Sequence, residues 1–67
     1  MSIGVTIREL REERSISLDE LSRRTGMKSS YLAQIEQGTR EPRLETIWKL
    51  ADALGISTPE LVDRAER

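Results

Sequence analysis

The sequence predicts an all-α fold: five short helices packed as a single domain over residues 1–67. Three features point there. Apolar residues recur three and four apart along most of the chain. Ser-x-x-Glu pairs and isolated glycines fall where such helices would begin and end. No segment alternates with period two, and aromatic residues make up only 3% of the chain, so strands are not expected.

The elements follow in order. Ile3, Ile7 and Leu10 recur at helical spacing, with Arg8, Glu9, Arg11, Glu12 and Glu13 between them, which predicts a first helix over residues 3–14. Ser15-Ile16-Ser17 interrupts it. Ser17 stands three residues before Glu20, a capping-box pattern that opens a second helix. Leu18 and Leu21 give that helix its apolar side, and Gly26 ends it as a left-handed cap. Only Met27 and Lys28 precede a third helix, Ser29 to Gln37, which Gly38 stops. Residues 39–43 read as a surface loop, because Pro42 disfavours helical backbone at Glu41. Leu44, Ile47, Leu50, Ala51 and Leu54 trace a fourth amphipathic helix closed by Gly55, with Trp48 as a filler at its core edge or, alternatively, a dimer contact. Ser57 and Glu60 form a second capping box, with Pro59 tolerated in the first turn. The last helix, about 58–65, is expected to bury Leu61 and Val62.

Composition narrows the function. A chain of 67 residues buries about 60% of its unfolded surface, so its stability is marginal without tight packing or association. It has no cysteine and no histidine, which removes disulfides, thiolate metal sites, the commonest metal ligand and the commonest acid–base catalyst at neutral pH. No metal and no cofactor are expected, and catalysis is not: so short a chain leaves little room for a deep pocket, and its charges alternate as they do on solvated helix faces. No apolar run approaches the roughly 20 residues needed to span a bilayer, and residues 1–6 lack the cationic start of a secretory signal. A cytoplasmic protein is the expectation.

The formal net charge of −1 is low for a nucleic-acid binder, but its distribution is uneven. Residues 21–43 hold Arg23, Arg24, Lys28, Arg40 and Arg43 against only Glu36 and Glu41, while the segments on either side are each net acidic. Positive charge is thus gathered in the middle third, around residues 17–38, where a short helix, a glycine turn and a second short helix follow one another. A turn of about 3–4 residues containing glycine sets two helices at the steep angle of a helix-turn-helix. On a wheel of about 100° per residue, Tyr31, Leu32, Ile35 and Glu36 share the core side of the third helix. Ser29, Ser30, Ala33, Gln34 and Gln37 share the other, which is small, polar and uncharged. Short side chains permit close approach to a surface, and glutamine can make a bidentate contact to adenine. Lys28 before this helix and Arg40 and Arg43 after it suit phosphates, as do the free N–H groups of helix starts near Ser17 and Ser29. Tyr31 could pack its ring on the core and extend its hydroxyl to a phosphate.

These residues resemble a known family. Ile7-Arg8-Glu9-Leu10-Arg11-Glu12-Glu13-Arg14, then Ile16-Ser17-Leu18-Asp19-Glu20-Leu21, Gly26 and Tyr31-Leu32-Ala33-Gln34-Ile35-Glu36-Gln37-Gly38 are similar to the Cro and phage-repressor-like (XRE-type) helix-turn-helix proteins. Pro42-x-Leu44-Glu45-Thr46-Ile47 and Leu50-Ala51-x-Ala53-Leu54-Gly55-Ile56-Ser57 extend the likeness, which covers residues 3 to about 62. The resemblance implies a compact five-helix, lambda-repressor-like fold acting as a homodimer on double-stranded DNA, with the third helix in the major groove. By position it implies base contacts from Ser29, Ser30 and Gln34, and phosphate contacts from Ser17, Lys28, Arg40 and Arg43. It further implies a structural ion pair between Arg11 and Glu36. The chain departs from the family pattern at four places. Leu18 stands where a glutamine often touches phosphate. Ser15 replaces a frequent glycine, at a cost of about 1 kcal/mol if its backbone is left-handed. Lys28 and Arg43 stand where serine or threonine often caps a helix, exchanging about 1 kcal/mol of capping for positive charge.

The leading expectation is a transcriptional regulator of repressor type. An antitoxin, the DNA-binding part of a larger regulator, and a protein-interaction module that does not bind DNA are the alternatives, the last favoured by the acidic total.

Overall fold

In a computed structural model that describes residues 2–67, the chain forms α1 (Ile3–Glu13), α2 (Leu18–Thr25), α3 (Ser29–Gln37), α4 (Leu44–Ala53) and α5 (Thr58–Glu66), and no strand among those residues. The predicted bounds hold to within a residue or two.

The caps explain most of the boundaries. Ser17 Oγ accepts the Glu20 N–H at 3.0 Å at the start of α2. The reciprocal half of the predicted capping box is missing, because the Glu20 carboxylate is taken by Arg23 at 2.7 Å and Arg24 at 3.1 Å. At α5 the box is complete: Ser57 Oγ accepts from Glu60 N, and Glu60 Oε1 accepts from Ser57 N. Gly26 and Gly38, at φ 75° and 82°, end α2 and α3 in the left-handed region. Ser15 takes the same region at φ 54°, the only residue other than glycine to do so among those described. Its N–H donates to Glu12 O, and the next N–H, from Ile16, donates to Arg11 O, so the strained residue closes α1.

One core joins all five helices. Ile7 and Leu10 from α1, Leu21 from α2, Leu32 and Ile35 from α3, Leu50 and Ala51 from α4, and Leu61 from α5 are buried together with Ile16 and Leu54. Helix α1 packs on α3 and α5, α2 packs on α3 and α4, and α4 packs on α5. Gly4 lets α1 approach α3 closely: a Cβ there would stand 2.0 Å from the Ile35 carbonyl oxygen.

Three expectations are corrected. Leu44 is 60% exposed and Trp48 54% exposed, so neither belongs to the core stripe of α4. Leu44 is the first residue of α4, before the first buried position at Thr46, and Trp48 lies one turn further along the same flank. In α5, Val62 is only half-buried, and Ala65, four residues after Leu61 on the same face, is the second buried residue.

Candidate nucleic-acid interface

The turn between α2 and α3 is held by its own polar groups. Thr25 Oγ1 donates to Leu21 O at 2.9 Å and accepts from Met27 N at 3.2 Å, while the Ser22 hydroxyl donates to Met27 O. Leu32 and Ile35 anchor α3 in the core, with Tyr31 and Glu36 half-buried beside them. That packing leaves Ser30, Gln34 and Gln37 exposed and Ser29 and Ala33 half-buried, the outward face expected from the helical wheel. The exposed face carries no ionised group, so close approach to a polar surface requires no buried charge.

Ion pairing sorts the cations. Of the eleven lysines and arginines, Arg8, Arg11, Arg14, Arg23, Arg24, Lys49, Arg64 and Arg67 lie within 4.0 Å of a carboxylate. Lys28, Arg40 and Arg43 have no such partner among the described residues, and all three are exposed. Arg23 and Arg24 were part of the basic middle third, but Glu20 neutralises both, and Arg24 also donates to the Ala53 carbonyl at 3.1 Å, tying α2 to the end of α4. Among the described residues, the unpaired positive charge therefore lies just before α3, at Lys28, and in the loop from α3 to α4, at Arg40 and Arg43. One acid, Glu41, is exposed in the loop between Arg40 and Arg43.

The two helix starts expected to favour phosphate differ. Helix α3 begins at Lys28 with no side-chain cap and no acid in its first turn, so its first N–H groups stay available and the end of its dipole stays positive. Helix α2 begins with Asp19 and Glu20, and its cap Ser17 already accepts the Glu20 N–H. Ser17 is exposed and keeps its hydroxyl proton as a donor, but it stands in the more acidic setting of the two. Arg43 is the N-cap residue of α4, again with no side-chain hydrogen bond to the helix. The loss of both caps matches the expectation from residue type.

Two predicted roles, assigned separately from the sequence, are joined in space. Arg40 Nε donates to Gln34 Oε1 at 3.0 Å. The Arg40 guanidinium carbon also lies 5.3 Å from the centroid of the Tyr31 ring, a cation–π contact. The Tyr31 hydroxyl sits 3.4 Å from Thr46 Oγ1 on α4 rather than standing free. Nothing in helical periodicity signals these contacts, because they cross the glycine turn at Gly38 and the following loop.

Arg11 and Glu36 do pair. Arg11 Nε and Nη2 donate to the two Glu36 oxygens at 2.9 and 3.1 Å, and the side chains are 15% and 7% exposed. The hydrogen bonding of its guanidinium to the Glu36 carboxylate is the main cause that raises the Arg11 pKa above its ordinary value. Since Glu36 is on α3 and Arg11 on α1, the pair fixes the recognition-helix candidate against the scaffold.

A helix-turn-helix family model matches residues 7–61. An uncharacterized HTH-type transcriptional regulator of Sinorhizobium fredii is 38% identical over 60 residues, covering 90% of this chain and 78% of that protein. The cryptic phage CTXphi transcriptional repressor RstR of Vibrio cholerae is 44% identical over 61 residues, covering 90% of this chain but 54% of the repressor. Among solved structures, the biofilm master regulator SinR in complex with DNA superposes with a TM-score of 0.83 at 34% identity, over 91% of this chain and 98% of the chain in that structure.

Proposed function

This chain belongs to the helix-turn-helix family, and on that premise we propose that it is a transcriptional regulator of repressor type that binds specific sites in double-stranded DNA. The single observation that carries this reading is the charge arrangement: among the described residues, the three cations without a carboxylate partner, Lys28, Arg40 and Arg43, flank the uncharged outward face of α3. In this reading residues 1–67 act as one domain with its motif at 17–38, and α3 lies in the major groove. Ser29, Ser30 and Gln34 face base edges. Lys28, Arg43 and the N–H groups at the start of α3 hold phosphates, and Ser17 adds a hydroxyl donor on the α2 side. Arg40 adds charge at the far end of α3.

The protein works as a homodimer whose two α3 helices stand about 34 Å apart, one turn of the duplex. The exposed pair Leu44 and Trp48 supplies apolar surface that a second copy can cover. The role is binding rather than catalysis, and a cytoplasmic location follows from it. Its likeness to proteins named as transcriptional regulators supports the assignment.

The test is titration of duplex DNA at several salt concentrations, after selection of bound sites from a random pool. Phosphate contacts release counterions, so affinity should fall linearly on a log–log scale, with each neutralised phosphate adding about −0.9 to the slope. Affinity that is unchanged by salt, or selection that returns no shared site, rejects the proposal and favours the protein-interaction alternative. Sedimentation with and without the selected site reads the dimer directly.

A further inference from the structure

The contact between Gln34 and Arg40 bears on which base the protein reads. An arginine side chain has five N–H donors and no acceptor. The Gln34 atom facing Arg40 Nε is therefore the amide oxygen on chemical grounds, and its NH2 group is turned the other way. Arg40 is itself held at two points, by this bond and by its place over the Tyr31 ring. Tyr31 is seated against Thr46 of α4. The loop is pinned to the end of α3, since Thr39 N and Oγ1 both donate to the Gln34 carbonyl, at 3.0 and 3.2 Å. The Gln34 amide oxygen is thus engaged by a contact made before any DNA arrives.

Bidentate recognition of adenine by glutamine needs the amide oxygen to accept from N6 while the NH2 donates to N7. In this structure one of the two lone pairs of that oxygen is taken by Arg40, and the groups left free beside it are mostly donors: the Gln34 NH2 and the Arg40 Nη groups, which make no other hydrogen bond among the described residues. Guanine presents two acceptors, O6 and N7, on its major-groove edge, whereas adenine presents one acceptor beside a donor. Building on the DNA-binding reading above, we propose that Arg40 is a positioning residue for Gln34, and that the pair forms a donor-rich surface selecting guanine over adenine at the base pair Gln34 faces. Arg40 then contributes to sequence choice as well as to the charge that attracts phosphate.

Selection from random duplexes, followed by affinity measurements on sites differing only at that base pair, tests this with the wild type, Arg40→Met, Gln34→Ala and the double variant. The wild type is expected to prefer guanine by about tenfold or more. Arg40→Met should bring guanine and adenine close to parity there while leaving preferences at other positions intact. In the Gln34→Ala background the same change should alter no base preference, because the two residues act through one contact. Thermal melting of each variant confirms that the exposed substitutions leave the fold intact. An Arg40→Met protein that loses affinity for every sequence by one factor, with its guanine preference kept, overturns the proposal. A wild type that prefers adenine at that position does so as well. A wild type that selects no duplex site fails one step earlier and overturns the DNA-binding reading on which the proposal stands.

Discussion

Arg11 bridges α1 and α3 by clasping both oxygens of Glu36 with Nε and Nη2, at 2.9 and 3.1 Å, while its Nη1 donates to the Ile16 carbonyl at 3.0 Å. One guanidinium therefore ties together α1, the residue that follows the α1–α2 turn, and the helix proposed to enter the groove. Breaking the pair from one side leaves the nearly buried Glu36 carboxylate without its cation, at a cost of about 3 kcal/mol. Arg11→Met should lower the melting temperature strongly. The double variant Arg11→Met, Glu36→Leu should recover most of that loss, because no unpaired charge remains. Equal melting temperatures for the single and double variants would show that packing rather than charge sets the cost.

Ser15 holds a left-handed backbone at φ 54° without the freedom of glycine. Ser15→Gly should stabilise the fold by about 1 kcal/mol, less a smaller entropic loss in the unfolded chain. Denaturant midpoints would read this as a rise at constant m-value. A fall would mean that the serine side chain supplies stabilisation that outweighs the backbone strain.

Lys28 and Arg43 occupy N-cap positions with φ, ψ near −66°, 140° and −76°, 163°, close to the values at the serine caps Ser17 and Ser57. Serine at either site would find its capping geometry already formed. Each of Lys28→Ser and Arg43→Ser should add about 1 kcal/mol of stability. Each should also weaken DNA binding for all sequences alike and reduce the salt slope by about 1. Stronger binding by both variants would refute the idea that capping was exchanged for phosphate affinity.

Gly4 is required by contact rather than by backbone conformation, since an added Cβ would collide with the Ile35 carbonyl of α3. Gly4→Ala should cost about 1–3 kcal/mol by forcing the first turn of α1 away from α3. Because α3 carries the proposed base-reading face, base selectivity should weaken along with stability. An alanine variant that melts like the wild type would show that α1 shifts freely at its start.

Glu13 lies on α1 and pairs with Arg64 of α5 at 2.9 Å. The Arg64 hydrogen bond is the main cause that holds the Glu13 pKa below its ordinary value of 4.5. A carboxylate with a depressed folded-state pKa contributes stability above its unfolded value and loses it as pH falls through the folded one. The stability difference between wild type and Arg64→Met should therefore be constant near neutrality and shrink below about pH 4.5. Titration of the Glu13 carboxyl by NMR should show its midpoint rising in the variant. A midpoint that stays put would place the cause of the depression elsewhere.

Residue order alone was enough to predict five helices, their glycine and serine ends, and the outward polar face of α3. Each of these depends on backbone preferences and on a 3.6-residue period, which act between near neighbours and can be read without knowing the fold. The Arg11–Glu36 pair, the missing caps at Lys28 and Arg43, and the cost of Ser15 in a left-handed backbone were foreseen through family resemblance rather than through spacing. Other features waited on how the helices meet. Which three cations remain unpaired follows from contacts such as Glu13 with Arg64, 51 residues apart. The exposure of Trp48 and Leu44, the close approach at Gly4, and the turning of Gln34 by Arg40 likewise depend on distances between separate segments. Helical periodicity says which side of a helix is buried, but not what stands opposite it, and it is the opposing group that decides whether a charge is neutralised or an amide is held.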